Sequence, residues 1–372
     1  MNKTKYIYQN ADWPDFYWDK NKISSLLAGI QHNKGLFLGK MQAIGMDLQE
    51  NANMETITED VVKSAEIEGE ILNTQEVRSS IARRLGIYID GSIKSKRNVD
   101  GIVDITIDVT SNYAKPLTKE RLLGWQNALF PGGYSGIYKI AVGKFRDDSN
   151  GPMQVVSGAF GKEKVHYQAP DADKLEQEMA KFLNWINKEN NEELVLKAAI
   201  AHLWFLTLHL FDDGNGRVAR TVTDMLLARA DGISKRFYSV SAQIQKDKKE
   251  YYYILEKIQK GSLDITDWLI WFLNCLDKSI ELSEQTLNKI LYKHYFLQKA
   301  SGYKLNDRQK KIIDIVFNSF KGNLTSSKWA KLTKVSHDTA TRDIAELLKY
   351  KLLVKKGDGR STHYVFAEIK KR

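Results

Sequence analysis

A long apolar run that ends in a glycine-rich turn constrains this chain more than any other feature of its sequence. Residues 194–211 (LVLKAAIAHLWFLTLHLF) contain few helix breakers and predict a buried helix. The pattern RVARTVTDMLLARA after Gly216 has apolar residues at helical spacing and predicts a second helix. Asp213-Gly214-Asn215-Gly216 is then a tight turn, whose glycines let the backbone approach a ligand closely. The second helix therefore opens with free N–H groups, which form an anion-binding site.

The side chains around this turn are those needed to hold a nucleotide triphosphate and to attack one of its phosphates. Arg217 and Arg220 lie three residues apart in the first turn of the second helix and share a face. Their guanidinium groups suit phosphate oxygens. Asp213 is a natural ligand for Mg²⁺ beside substrate phosphates, and His209 can be neutral near pH 7 and accept a proton. Each feature alone is more often structural, as in a surface turn or a solvated pair of arginines.

Two other phosphate-binding motifs fit the sequence less well. Gly214-x-Gly216-x-x-Ala219 imitates the dinucleotide-binding fingerprint. That fingerprint needs a strand before the glycines, whereas a helical pattern precedes them here. The sequence has no Gly-x-x-x-x-Gly-Lys-Ser/Thr loop, which argues against a P-loop enzyme.

The segment from His209 to Arg220 resembles the signature of the Fic family of nucleotidyl transferases, His-x-Phe-x-Asp/Glu-Gly-Asn-Gly-Arg-x-x-Arg, at every defined position. Leu210 stands where many members have proline. The resemblance implies attack on the α-phosphate of ATP, which leaves AMP on a Ser, Thr or Tyr of a target protein and releases pyrophosphate. It also implies a role for each residue of the motif: His209 as base, Asp213 as Mg²⁺ ligand, Gly214, Asn215 and Gly216 as a cradle for the α- and β-phosphates, and Arg217 and Arg220 as a clamp on the distal phosphates.

A second element upstream resembles the inhibitory motif of the same family. Ser64 and Glu68 lie four residues apart in a helix-compatible stretch, and Gly69 follows them. Alone, they fit an ordinary surface helix. The pattern Ser-x-x-x-Glu-Gly resembles the inhibitory motif Ser/Thr-x-x-x-Glu-Gly/Asn, which implies that Glu68 pairs with Arg220 in place of the γ-phosphate and turns ATP into an unproductive pose. In some family members the equivalent glutamate instead positions water to remove AMP, and the sequence does not decide between these roles.

A β-hairpin is predicted between the two motifs. Residues 154–156 and 165–167 are β-prone and flank a glycine turn. An ordinary surface hairpin is one interpretation. By resemblance it is the flap on which Fic targets dock by strand addition, which assigns Val165, His166 and Tyr167 to target binding.

Two tyrosines downstream are assigned to the adenine by the same resemblance. Tyr251 and Tyr252 lie in a stretch that predicts a helix. Tyrosines at helical spacing are more often core residues than ligand contacts. The resemblance implies instead that they flank the adenine, with Gln259 two turns further along the same helical face.

Basic residues concentrate in the C-terminal segment. Residues 303–372 hold 17 Lys and Arg against 7 Asp and Glu, a net of +10 that equals the formal charge of the whole chain. Their pattern predicts three helices, the last with Ser336 as its N-cap, and then a β-hairpin, at 306–320, 326–332, 337–349, 353–356 and 362–366. This order outlines a winged helix and resembles bacterial winged-helix regulators. DNA contacts are then expected from Arg342, Lys355, Lys356 and Arg360, with a protein-docking or dimerisation module as the alternative.

Length and composition set the broad class. With 372 residues the chain is long enough for two or three domains. We expect an N-terminal extension at 1–54, a Fic core at 55–298 with the inhibitory helix around 58–70, and the basic domain at 303–372. The single cysteine, Cys275, excludes an intramolecular disulfide and fits a reducing cytoplasm. No apolar signal segment or run long enough for a membrane span is expected.

Together these patterns predict a mainly α-helical protein, with a Fic helical core, a β-hairpin flap and a C-terminal winged helix-turn-helix domain. The favoured function is a self-inhibited protein adenylyltransferase that uses ATP and Mg²⁺. Two alternatives stay open, a de-AMPylase with the same site and a DNA-binding regulator whose Fic domain senses nucleotide. His209 argues against the regulator, since sensing needs a phosphate clamp but no base. The expected partners are a target protein, DNA and a second copy of the chain in a homodimer.

Overall fold

The computed structural model describes residues 6–149, 151–158, 161–189, 192–318, 320 and 322–368. Within them the chain is mainly α-helical with short antiparallel hairpins, which confirms the predicted fold class. The helices are α1 (Lys20–Gln42), α2 (Met46–Ile67), α3 (Thr74–Leu85), α4 (Arg97–Ser111), α5 (Lys119–Leu129), α6 (Leu175–Asn187), α7 (Leu194–Leu208), α8 (Asn215–Asp231), α9 (Val240–Lys246), α10 (Lys248–Gln259), α11 (Thr266–Ala300), α12 (Asp307–Asn318), α13 (Ser326–Thr333) and α14 (His337–Lys349). The strands are β1 (Tyr134–Ser135), β2 (Tyr138–Lys139), β3 (Gln154–Ser157), β4 (Lys164–Gln168), β5 (Leu353–Lys356) and β6 (His363–Phe366).

The chain divides into two compact units, Met1–Glu284 and Gln285–Arg372. The division falls inside α11. The core of the second unit includes Phe296 and Ala300 from the end of that helix. These residues lie before residue 303, the start expected from the charge pattern.

The first unit is organised around α7. Every residue from Val195 to Leu208 is buried, as expected of a helix that is apolar on all sides. The Glu193 side chain caps its start by accepting hydrogen bonds from the N–H groups of Val195 and Leu196. The helix ends three residues before its predicted end, because His209 adopts a left-handed backbone. α8 packs along α7, and the turn between them brings the motif residues together.

After the end of α11, the second unit contains three helices followed by a hairpin, in the predicted order. Lys334 ends α13 in a left-handed conformation, and Ser336 caps α14 by accepting from the Thr339 N–H at 3.3 Å. β5 and β6 pair antiparallel, with Leu353 opposite Phe366. The winged-helix assignment remains a prediction, and the side chain of Arg360 lies outside the described part of the chain.

Among the described residues, no helix combines the length and the hydropathy that a membrane span requires.

Candidate active site

His209 stands at the end of α7 with a backbone conformation that is uncommon outside glycine. Its φ and ψ are 48° and 60°, a left-handed geometry that costs free energy and is often found at functional sites. The buried Arg146 holds this geometry: its Nε donates to the His209 carbonyl at 2.7 Å, and its backbone N–H donates to the Leu210 carbonyl at 2.9 Å. Sequence reasoning missed Arg146, because it lies 63 residues before His209 and belongs to no motif.

The surroundings of His209 favour its neutral form. Burial, together with the nearby Arg146 guanidinium, lowers the pKa of the imidazole to about 4, although Glu68 and Asp213 act in the opposite direction. The ring is therefore neutral at pH 7 and can accept a proton. Negative charge from a bound phosphate would raise this pKa towards the working pH.

The side chain of Asn215 closes the turn between α7 and α8. Its Oδ1 accepts from the Phe211 N–H at 3.0 Å and its Nδ2 donates to the Phe211 carbonyl at 2.7 Å. This amide is used inside the loop, so the backbone of Asn215 is the part left to face a phosphate. Gly214 has a φ of 89°, and a Cβ there would lie 2.9 Å from Phe130 Cε2. The position therefore requires glycine for both its conformation and its space.

Asp213 is oriented by two donors, the Ser135 hydroxyl from the β1–β2 hairpin and the Gly214 N–H. The described residues contain no group of three or more His, Cys, Asp or Glu side chains that could hold a metal ion. A Mg²⁺ ion on Asp213 would complete its shell with phosphate oxygens and water, which is the usual arrangement for this ion. Ser135 was not singled out from the sequence, because nothing in its local pattern points to Asp213.

Arg220 is buried and held by the end of α2. Its Nη2 lies 2.8 Å from Glu68 Oε1 and 3.0 Å from the Ser64 carbonyl, and its Nε donates to Ser64 Oγ at 2.8 Å. The structure thus contains the contact between Glu68 and Arg220 that the resemblance implies. Burial lowers the pKa of Arg220, but Glu68, together with Tyr251 and Tyr252, more than offsets this effect and the pKa is raised. The guanidinium is therefore charged.

The Glu68 carboxylate covers the start of α8. A Cβ built on Gly216 would be 2.2 Å from Glu68 Oε1 and 3.2 Å from Arg220 Nη1. Arg220 Nη1 is buried without a hydrogen-bond partner among the described residues. Because the first N–H groups of a helix have no partner within it, this is a place that favours an anion. Here the side chain of Glu68 provides that negative charge.

Arg217 pairs with a second carboxylate, which the sequence analysis did not single out. Its Nη1 donates to Glu70 Oε2 at 3.1 Å, and its guanidinium lies 4.8 Å from the centroid of the Phe130 ring. Glu70 also accepts from Asn98 Nδ2 at 3.0 Å. Both arginines of the motif are therefore neutralised by carboxylates from one short segment, Glu68–Glu70. Glu68 and Glu70 lie two residues apart in the sequence. This spacing was the signal that could have indicated the pair of Glu70 with Arg217.

Gly69 fixes the direction in which Glu68 leaves the helix. It has a φ of 83°, and its N–H donates to the Glu66 carbonyl at 3.0 Å. The next N–H, that of Glu70, donates to the Ala65 carbonyl at 3.0 Å. This pair of bonds is the Schellman arrangement that ends a helix at a glycine. Gly69 thus acts through the backbone, while Glu68 makes the contact.

α2 is tied to the segment that precedes α9, so Glu68 lies at the end of a fixed helix. The Arg236 N–H donates to Asn53 Oδ1 at 2.7 Å, and the Ser239 hydroxyl donates to Asp60 Oδ1 at 2.5 Å. Asn53 and Asp60 lie further back on α2 than Glu68, and Arg236 and Ser239 lie far from Glu68 along the chain. They hold α2 in place without touching the site.

A cleft of about 640 Å³ opens beside His209 and Glu68, with walls from the flap, α7, α8 and α10. Its size is typical of a small-ligand site. Tyr251 and Tyr252 both line it, but they differ in exposure, at 2% and 43%. The Tyr251 hydroxyl is bonded to His202 Nε2 at 2.8 Å, so this residue is mainly part of the core. Tyr252 leaves much more of its surface for a ligand.

The flap is the antiparallel pair β3–β4, and β3 is exposed along its whole length. The His166 ring links the flap internally and to α10, with Nε2 2.6 Å from Ser157 Oγ and Nδ1 2.6 Å from Glu256 Oε2. Tyr167 is buried, and its hydroxyl donates to the Thr207 carbonyl at 2.6 Å. The side chains of His166 and Tyr167 therefore hold the flap in place, whereas the side chain of Val165 is exposed.

The buried His202 gives the protein a pH-dependent stability that can be measured. Burial, with Arg220 nearby, lowers its pKa to about 3, whereas the unfolded chain binds this proton near pH 6.5. This stability is fully present above pH 6.5 and is lost as the pH falls towards 3. We expect the free energy of unfolding to fall by about 2 kcal/mol between pH 8 and pH 5 because of this group. Urea unfolding of the parent and of His202→Gln at both pH values tests this, and an equal loss in the two proteins would contradict it.

Comparison with known proteins identifies the domain that contains the site. Residues 116–227, which include the whole segment from His209 to Arg220, match the family model described as Fic/DOC family. The chain carries a Fic/DOC domain. Residues 6–87, which include α2 and Glu68, match a domain of unknown function, DUF4172. The Fic domain thus contributes His209, and the preceding domain contributes the carboxylate on Arg220.

The chain also has relatives among curated and solved proteins. The protein adenylyltransferase Fic of Drosophila grimshawi is 29% identical over 133 residues, which cover 34% of this chain and 26% of the relative. Its namesake in Drosophila melanogaster is also 29% identical over 133 residues, covering 34% and 25%. The chain therefore spans about a quarter of the length of the curated relatives it matches.

Two solved structures share the fold. A Fic family protein from Desulfovibrio desulfuricans aligns with a TM-score of 0.54 at 19% identity, over 96% of this chain and 99% of that one. A Fic domain containing signaling protein from Bacteroides thetaiotaomicron aligns with a TM-score of 0.51 at 17% identity, over 70% and 96%. At these identities the likeness concerns the fold alone.

Proposed function

We propose that this protein is a self-inhibited protein adenylyltransferase, which transfers AMP from ATP to a Ser, Thr or Tyr hydroxyl of a target protein or of itself. One observation carries the proposal. The neutral His209 lies beside a ligand-sized cleft whose anion-binding end, at the start of α8, is filled by the carboxylate of Glu68. The adenylyltransferase relatives of the Fic domain support the same reaction class.

The proposed reaction uses the groups where they lie. His209 takes the proton of the attacking hydroxyl, whose oxygen forms a bond to the α-phosphorus of ATP. The bond from that phosphorus to the bridging oxygen breaks, and pyrophosphate leaves. The N–H groups of α8, with Arg217 and Arg220, hold the phosphates and stabilise their charge. Mg²⁺, held by Asp213 and phosphate oxygens, would supply further neutralisation of that charge when bound.

Self-inhibition follows in this proposal from competition for Arg220. The Glu68 carboxylate forms an ion pair with the guanidinium group of Arg220, which a distal phosphate would need. ATP in its productive pose must therefore displace Glu68, which is fixed by the end of α2. Direct observation of the reaction is the test: α-labelled ATP and Mg²⁺ are supplied to Glu68→Gly protein, and label on protein is measured together with released pyrophosphate. Absence of both in this variant would refute the proposal.

Removal of AMP is the second reaction that the site could carry out. Glu68 is close enough to His209 to raise its pKa, so a water molecule between them could be held for attack. Protein labelled by the Glu68→Gly variant serves as substrate for this assay. Loss of label with the parent protein, but not with His209→Ala, would favour removal as the main activity.

We further propose that the second unit binds double-stranded DNA. Arg342 on α14 and Lys355 and Lys356 on β5 are exposed, on two elements that pack against each other. The net charge of +10 over residues 303–372 complements phosphate.

The DNA proposal predicts a salt-dependent interaction of the full chain with duplex DNA. Arg342→Ala/Lys355→Ala/Lys356→Ala should weaken binding by about tenfold or more at low salt and reduce its salt dependence, since each phosphate contact releases counterions. The matched control removes the same charge elsewhere, by alanine at the exposed Lys304, Lys310 and Lys311. Fluorescence anisotropy with a labelled duplex at several salt concentrations measures both. Equal losses in the two triple variants, or no binding by the parent, would contradict a DNA-binding face.

A further inference from the structure

The N-terminal segment, residues 6–18, reaches the base of the flap. The rings of Tyr6 and Tyr8 are stacked, with centroids 6.0 Å apart. Both stand edge-on to the ring of Tyr167 in β4, at 5.2 and 6.3 Å. The Tyr8 hydroxyl also donates to the carbonyl of Ala169 at 3.3 Å. Ala169 in turn makes a backbone bond to Met153 at 3.0 Å, so these contacts lie where the two flap strands join the core.

Tyr167 connects this aromatic cluster to the catalytic loop. Its ring is fully buried, and its hydroxyl bonds to the Thr207 carbonyl in the last turn of α7. Thr207 lies two residues before His209. A displacement of the tyrosine cluster would therefore move the flap relative to His209 through Tyr167, whose bond to Thr207 is buried and 2.6 Å long.

The N-terminal segment is itself firmly held. Ile7 is buried, and Trp13 Nε1 donates to Glu178 Oε2 of α6 at 2.7 Å. The backbone of Tyr17 pairs on both sides, with its N–H bonded to the Leu263 carbonyl and its carbonyl bonded to the Ile265 N–H, each at 3.0 Å. Because these anchors lie in different parts of the first unit, the segment is fixed and can hold Tyr167 and the flap in position.

The flap needs such support. It is a two-stranded sheet among the described residues, and β3 is exposed along its whole length. A two-stranded hairpin has little stability by itself. Its position therefore depends on side-chain anchors, which are Tyr167 at the base and the His166–Glu256 contact towards α10.

We infer that residues 6–18 act as a brace that positions the flap, and with it a docked hydroxyl, relative to His209. This assigns the start of the segment matched by DUF4172 a role that is separate from the contact of Glu68 with Arg220. The inference rests on the proposed function, because it uses the flap as the docking site of the target. Tyr6, Tyr8 and Tyr167 are positioning residues in this account and do not touch the reacting atoms.

The test uses the full chain with Glu68→Gly, ATP·Mg²⁺ as donor and the protein itself as AMP acceptor. Tyr6→Ala/Tyr8→Ala removes the rings of the brace. Tyr17→Ala is the matched control, because this ring lies in the same segment, is 56% exposed and leaves the backbone bonds in place. Four quantities are measured: hydrogen exchange of the amides in β3 and β4, ATP affinity, and kcat and KM for self-transfer.

We expect the double variant to exchange its flap amides about tenfold faster and to lose about tenfold in kcat, because small displacements from the reactive geometry slow transfer strongly. The KM for ATP should stay within about twofold, since the proposed phosphate contacts at the start of α8 are unchanged. Tyr17→Ala should behave like the background protein. Tyr8→Phe keeps the ring and loses only the bond from the brace to Ala169, so about a threefold fall in kcat is expected. This milder variant keeps the test decisive if the double variant fails to fold.

Unchanged flap exchange in Tyr8→Phe and in the folded double variant would overturn the brace. Equal acceleration of exchange in α7 would also overturn it, because that result indicates a general loss of stability. The two proposals fail separately. Absence of AMP transfer from the Glu68→Gly background refutes the adenylyltransferase, whereas hydrogen exchange decides the brace without any activity.

Discussion

Replacing Glu68 with glycine is expected to raise AMP transfer about tenfold to hundredfold. The change removes the carboxylate that lies 2.8 Å from Arg220 Nη2 and covers the start of α8. A charge-assisted hydrogen bond contributes about 1.5–3 kcal/mol, and ATP must overcome this energy to displace Glu68 from Arg220. Removing this cost corresponds to an increase in rate of about tenfold to hundredfold. Initial rates of label transfer from α-labelled ATP measure the effect.

The matched control for this change is Glu66→Gln. Glu66 lies two residues away at the same end of α2, but its carboxylate pairs with Lys63 at 2.8 Å rather than with Arg220. It should leave the rate of transfer unchanged. Activation by Glu66→Gln to the same extent as by Glu68→Gly would show that any disturbance of α2 is sufficient, and would contradict a specific role for the Glu68 carboxylate.

Removing the base is expected to have the opposite and larger effect. In the Glu68→Gly background, His209→Ala should lower the rate of transfer by about 10²–10⁴-fold, the usual contribution of a general base. ATP affinity should change little, because the phosphate contacts come from α8 and its arginines. Single-turnover kinetics together with equilibrium ATP binding separate the two effects.

His209→Asn is the control for backbone strain in this experiment. Position 209 has a φ of 48°, which alanine tolerates poorly and asparagine tolerates better. Asparagine also lacks a basic nitrogen. A rate restored by asparagine would indicate that His209 serves only the shape of the loop, and would contradict its assignment as the base.

The order of helices and strands in the C-terminal segment could be predicted because its signals are local. α14 and β5 have the predicted bounds, and Ser336 caps α14 as expected. α7 was predicted three residues too long, since its apolar pattern continues to Phe211. The helix ends earlier because Arg146 holds His209 in a left-handed conformation. That is a tertiary contact, which periodicity does not reveal.

The arrangement of the site was predictable only where a family motif supplied the pairing. The contact of Glu68 with Arg220 spans 152 residues and was expected from the resemblance alone. The contact of Glu70 with Arg217 spans 147 residues and was not expected, because no motif includes it. Tyr167 was assigned to target binding, whereas its side chain is buried in the base of the flap. The pairing of Glu70 and the burial of Tyr167 depend on residues that are distant in the sequence, which one sequence alone does not identify.

The most direct test of the account compares three proteins in one experiment: the parent chain, Glu68→Gly and Glu68→Gly/His209→Ala. Each is incubated with α-labelled ATP and Mg²⁺, and label on protein is measured with time. The account predicts little label on the parent, strong labelling of Glu68→Gly and labelling of the double variant that is slower than that of Glu68→Gly by about 10²-fold or more. Equal labelling of the parent and Glu68→Gly would contradict self-inhibition, and labelling of the double variant as fast as that of Glu68→Gly would contradict His209 as the base.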